Sequence, residues 1–255
     1  MESRKKAKEV VDSIIFGDRN VELMLWLMES YSRETFLHMI RVAEITAEIL
    51  INRGCREYEL IEVTKGALLH DVGKLSVPEQ ILNNPNCLTA EEMEVMREHP
   101  VKGFHYLLKM NEINSGDEIS KIVKDIIYMH HERNDGSGYP EGRTEIPWYV
   151  ALVSTVDAYE AMTATRCYGN RKSHANAIKT LKNEGYNSEY IEDIELLEAM
   201  HVNNVITFLN AASLNDLYMF YDVFGFEFSL NDGEVKGIRE AEGEKIVITE
   251  DAMAS

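Results

Sequence analysis

With 255 residues, 45% of them hydrophobic, the chain can bury one sizeable core plus a small appendage, so it is neither fibrous nor disordered as a whole. A formal net charge of −18 excludes broad binding to DNA, RNA polymers or anionic membranes, which is carried by clustered Lys and Arg. No apolar run approaches the roughly 20 residues of a membrane span, and Cys55, Cys87 and Cys167 form no CxxC, so a cytoplasmic protein with reduced, ordinary thiols is expected.

Helical rather than alternating apolar spacing dominates the first 210 residues and predicts an all-α fold, with no internal repeat and no linker. Residues 5–16 and 20–30 read as opening helices. Ser32 caps a third helix that carries Phe36, Leu37, Ile40, Val42, Ala43 and Ile45 toward Gly54, and Glu57 to His70 reads as a fourth. Thr89 with Glu92 makes a capping box for a helix near 90–98, and Pro100 suits the first turn of the next, near 101–111.

Residues 117–131 read as helix, and the turn residues Asn134, Asp135, Gly136, Gly138, Pro140 and Gly142 then force a shaped loop. Pro147 opens a helix toward Thr165, and two or three more fill 173–211. Beyond Ser213 a short amphipathic helix, LNDLYMFYDVF, precedes an alternating stretch around Asp232 and Gly233 that predicts a hairpin. The tail from Glu240 is either an edge strand or disordered. The expected division is opening helices over 1–30, a main domain over 31–212 and a small α+β appendage over 213–255.

The residues with chemical promise fall along this frame in several groups. His70 and Asp71 are adjacent, with Lys74 four residues after His70; imidazole plus carboxylate suits iron, manganese or zinc. Lys74 falls on the His70 face if the helix continues that far, as a point charge for a phosphoryl oxygen. Glu34 and His38 share a helix face at spacing i, i+4. His99 stands at a helix start, where capping is the default role. His130 and His131 end a helix before the glycine-rich turn, and Asp157 lies in an apolar segment, where a carboxylate needs a partner or a metal. In so acidic a chain, metal ions would supply the positive charge that a phosphate substrate requires.

Taken together, His38, His70, Asp71 and Lys74, His99, the HHExxDGxGYP run at 130–140 and DAYEAMTATR at 157–166 resemble the HD-GYP family over residues 30 to 205. That resemblance implies an HD-type helical bundle and hydrolysis of cyclic di-GMP to linear pGpG or on to GMP. It implies metal ligands at His38, His70, Asp71, His99, His130, His131 and Asp157, with Glu34 as the extra carboxylate of members holding a third ion. Two or three divalent ions are expected, iron favoured and manganese next. Lys74 and Arg166 match positions that approach the phosphates and a guanine. Gly169 stands where the family commonly has a second basic residue, with Arg171 as a substitute nearby, and Asn134 replaces a frequent aromatic.

The expected nucleophile is a hydroxide bridging two ions, with Asp71 shared between them; no leaving-group acid is identified. A protein partner at the GYP loop and a homodimer stay open. So do two other readings: an HD-fold phosphohydrolase of another nucleotide such as cyclic GMP-AMP, and a catalytically silent sensor of cyclic di-GMP. His105, His174 and His201 carry no assigned role.

Overall fold

The computed structural model describes residues 2–84, 86–114, 119–164, 172–211, 227–231, 234–241 and 244–248. Among the described residues up to 211 the regular elements are helical, as the sequence indicated. Helices α1 (Glu2–Gly17), α2 (Arg19–Tyr31), α3 (Arg33–Asn52) and α4 (Glu57–Leu69) come first. Ser32 caps α3 as expected, its hydroxyl accepting from the Thr35 amide. After a 3₁₀ turn (Val72–Ser76) come the short α5 (Glu79–Leu82), α6 (Ala90–Arg97) and α7 (His99–Asn114). The Thr89 and Glu92 capping box on α6 is formed in both directions.

Helix α8 (Lys121–Met129) is shorter than the sequence indicated. The Ser120 hydroxyl accepts from the Val123 amide and fixes the start there, and His130 occupies the C-cap. Helices α9 (Trp148–Thr163), α10 (His174–Asn183) and α11 (Ser188–Ala211) complete the helical part. Strands β1 (Glu227–Asn231), β2 (Glu234–Ala241) and β3 (Glu244–Ile248) pair antiparallel in the order β1-β2-β3. Asn231 pairs with Glu234 across Asp232 and Gly233, which is the expected hairpin, and β3 makes the tail an edge strand. The amphipathic segment at 214–224 lies outside the described residues.

One apolar cluster joins the helices: Val11 and Ile14 of α1, Leu25 and Met28 of α2, Met39 and Leu50 of α3, Leu68 of α4, Ile126 of α8, Val153 of α9 and Ile191 of α11 are all buried in it. Burying a side chain of this size is worth about 1.5–3 kcal/mol, so this shared core holds the helix ends in fixed register. Helices α4 and α8 lie in close contact at Gly66, where a Cβ would run into the Ile126 side chain. Four residues beyond that crossing α4 reaches His70, and four residues beyond Ile126 α8 reaches His130. The two rings consequently end at the same level, their centroids 5.0 Å apart.

Candidate metal centre

The α-helix ends at His70 as the sequence indicated and a 3₁₀ turn takes over, so the condition for placing Lys74 on the His70 face of a continued helix is not met. Three residues per turn align Asp71 with Lys74, and the Lys74 Nζ donates to Asp71 Oδ2 at 2.6 Å. Gly73 permits this turn to lie against the start of α7: a Cβ there would stand 2.6 Å from Gly103 N and 2.8 Å from the His99 carbonyl carbon. That close approach delivers His99 to Asp71, with Nε2 3.2 Å from Oδ1. Helix α3 supplies His38 and α9 supplies Asp157, whose Oδ1 lies 3.0 Å from His38 Nε2 and 3.7 Å from His70 Nε2.

Two groups of donor atoms result, each within 4.8 Å: His38, His70 and Asp71, and Asp71, His99, His130 and His131. Asp71 belongs to both. His38, His70, Asp71, His99 and His130 are each less than 5% exposed, and Asp157 is buried beside them. Glu34, half-buried one turn before His38, enters neither group. Arg166 and Arg171 lie outside the described residues.

The ring nitrogens test whether a cation fits. The Nδ1 atoms of His70 and His99 each lie 2.8 Å from a main-chain carbonyl, of Ala67 and Met96, and that of His130 lies 3.1 Å from the Ile126 and Ile127 carbonyls. A carbonyl only accepts, so each Nδ1 carries the proton and each neutral ring turns its Nε2 lone pair inward. The Nε2 atoms of His99 and His130 nevertheless face each other at 3.1 Å. Two lone pairs so placed repel unless a cation lies between them, and such a separation suits two nitrogens sharing one ion at about 2.0–2.1 Å. The buried His70 Nε2 and Asp71 Oδ1 have no hydrogen-bond partner, which a buried polar atom rarely tolerates.

Electrostatics agree with ligand chemistry. Burial, reinforced by neighbouring imidazoles, holds His130 and His131 well below the ordinary histidine range, hence neutral. Burial alone would raise the Asp71 carboxyl, but Lys74 and His70 outweigh it and keep it ionised well below the usual range. Asp157 is likewise held low against burial, chiefly by His38. Burial disfavours charge on His38, yet its bonds to Asp157 and Glu160 win and push it up to about 9. Metal ligation through its Nε2 would displace one proton, as metal binding to protonatable ligands does generally.

The loop after His131 is held by a residue that motif reading left without a role. Buried Glu132 accepts from the Glu141 amide at 2.7 Å and the Arg143 amide at 2.8 Å, tying the far side of the loop to its origin. Gly136 has φ +77°, and Gly138 has no space for a Cβ against the backbone of His131 to Arg133, so both positions require glycine. Tyr139 stacks on His131 with ring centroids 4.6 Å apart. Glu160 was also missed; a second carboxylate three residues after Asp157 in an apolar helix was the available signal.

A family model described as HD domain matches residues 22–191. The chain belongs to the HD-domain family. The HD-GYP resemblance read from the sequence is borne out by its curated relatives. A cyclic di-GMP phosphodiesterase of Thermotoga maritima is 36% identical over 183 residues, covering 70% of this chain and 48% of the relative. One of Pseudomonas aeruginosa is 31% identical over 180 residues, covering 69% and 42%. A 3'3'-cGAMP-specific phosphodiesterase of Vibrio cholerae is 34% identical over 143 residues, covering 55% and 26%. The chain thus spans about half, or less, of the length of these relatives.

Among solved structures, an HDG"Y"P protein from Bdellovibrio bacteriovorus superposes with TM-score 0.53 at 17% identity, over 77% of this chain and 70% of that one. The HD domain of the L. monocytogenes phosphodiesterase PgpH, in complex with cyclic-di-AMP, gives TM-score 0.51 at 16% identity, over 71% and 97%. These two likenesses bear on the fold. Among the described residues no helix is long and apolar enough to cross a membrane.

Proposed function

We propose that this chain is a metal-dependent phosphodiesterase that hydrolyses cyclic di-GMP to linear pGpG or on to GMP. The observation that carries the reading is the pair of inward lone pairs on His99 and His130, 3.1 Å apart above the ionised Asp71. Proteins named cyclic di-GMP phosphodiesterases at 36% and 31% identity support the substrate. In this reading His38, His70, Asp71 and Asp157 hold one ion, and Asp71, His99, His130 and His131 hold another. Glu34 would be needed for a third. The mixed nitrogen and oxygen donors suit iron, manganese or zinc, and the family resemblance favours iron, with manganese next.

When bound, divalent ions supply Lewis acidity, lowering the pKa of water toward neutrality and offsetting charge on phosphoryl oxygens. The chain's own residues do the rest. Asp71 is common to both groups and sets their spacing. Lys74, half-buried on Asp71 Oδ2, adds a fixed positive charge at the same edge, placed for a phosphoryl oxygen. Arg166 and Arg171 are proposed to meet the guanines. The main-chain carbonyls behind His70, His99 and His130 hold the rings in one tautomer, so no rearrangement is needed when ligands engage.

The test uses protein purified without oxygen, its metals counted per chain and cyclic di-GMP breakdown followed chromatographically. Asp71→Ala is expected to lose both metal and turnover. Full metal content and activity in that variant would overturn the assignment. A preference for cyclic GMP-AMP in side-by-side turnover would reassign the substrate toward that of the Vibrio cholerae relative.

A further inference from the structure

Glu160 on α9 is 3% exposed and divides its two oxygens between residues of α3: His38 places Nδ1 on Oε2, and Arg41 donates Nε to Oε1. This arrangement differs from that of the other buried rings. His70, His99 and His130 rest Nδ1 on main-chain carbonyls. A carbonyl is a neutral acceptor, whereas a carboxylate is an anionic one that strengthens the bond and makes the opposite ring nitrogen a better electron donor. His38 alone among these four is backed by charge.

The placement is enforced from both helices. Asp157 and Glu160 are three residues apart and share a face of α9, so one helix engages both nitrogens of a single ring, with Asp157 Oδ1 3.0 Å from Nε2. Arg41, three residues after His38 on α3, occupies the other Glu160 oxygen and keeps the carboxylate from turning into the cluster. The guanidinium is partly exposed while the carboxylate is buried, so Arg41 neutralises a charge that solvent does not reach.

We propose that Glu160 is a positioning residue for the ion held by His38, His70 and Asp71, and that it sets the affinity of this ion separately from the one at His99, His130 and His131. The inference rests on the metal reading above.

The test uses the full chain and Mn(II) as probe, comparing wild type with Glu160→Ala and Glu160→Gln by stepwise calorimetric titration and by metals retained per chain after desalting. Loss of such a supporting partner typically costs 10–100-fold in metal affinity. Glu160→Ala is expected to weaken one Mn(II) by about that factor and leave the other unchanged, with Glu160→Gln, which keeps an acceptor oxygen without the charge, in between. Thermal melts verify that both variants are folded. Two ions bound as in wild type by both variants would overturn the inference alone, and so would an equal loss of both ions, which marks a merely structural role. Wild-type protein that binds no Mn(II) would overturn the metal reading and this inference with it.

Discussion

Replacing Gly73 by alanine probes how the site is assembled without touching a ligand. The new Cβ would lie 2.6 Å from Gly103 N and 2.8 Å from the His99 carbonyl carbon, and closer still to its oxygen. All three are backbone atoms, so no side chain can swing away, and the 3₁₀ turn and α7 must separate by on the order of an ångström. Overpacking of this kind costs about 1–3 kcal/mol, and a backbone clash belongs at the upper end. At roughly 2–4 °C per kcal/mol for a domain of this size, the melting temperature should fall by about 4–12 °C.

The same separation lengthens the 3.2 Å approach of His99 Nε2 to Asp71 Oδ1 and opens the group that includes His130 and His131. A misplacement of about 1 Å can cost 100-fold in rate, so turnover of cyclic di-GMP should drop at least that far. Circular dichroism melts, metal content and turnover on one preparation give the answer. A Gly73→Ala protein with wild-type melting temperature, metal and rate would refute the claim that this contact positions His99.

Lys74→Ala should retain its metal and lose about 10–100-fold in kcat/KM, the scale of one charge-assisted contact, as elemental analysis and steady-state kinetics will show. Glu132→Ala removes the acceptor of two loop amides and should destabilise the protein by several kcal/mol at most, at about 1–3 kcal/mol per buried group left unpaired. Limited proteolysis should then cut within 133–147 before any other described segment. Away from the cluster, burial would raise Glu48, but His201 and Ser3 outweigh it and hold its carboxyl below the ordinary value. A depressed carboxyl stabilises the fold above its unfolded value of about 4.5 and loses that contribution as pH falls through its lower folded value. Glu48→Gln should therefore flatten stability measured by denaturant melts between neutral pH and pH 3.

Much of this architecture was legible because local signals and packing agree. Ser32, Thr89 with Glu92, and Pro147 mark helix starts through their own hydrogen bonds or fixed φ, and the alternating stretch expected as a hairpin pairs as β1 and β2, closing at Asn231 and Glu234. The end of α4 at His70 was legible too, but the 3₁₀ turn that follows it was not, because that turn lies against α7 at Gly73, a contact distant in sequence.

The cluster was read by motif, and the structure brings its residues together: His38, His70 and Asp71 form one close group, Asp71, His99, His130 and His131 another, and Asp157 lies against His38 and His70. Glu132 and Glu160 escaped because their work is with a loop backbone and a neighbouring imidazole, contacts fixed only by tertiary packing. Glu34 matched a motif position, yet helical spacing to His38 does not by itself bring its carboxylate into either group.

The most direct test of the account is the number of metal ions per chain in anaerobically purified protein, measured with cyclic di-GMP turnover on the same sample. At least two divalent ions per chain, with pGpG or GMP formed, is the predicted result. A chain that retains no metal and yet cleaves cyclic di-GMP, or that retains none after reconstitution with iron or manganese, would contradict it.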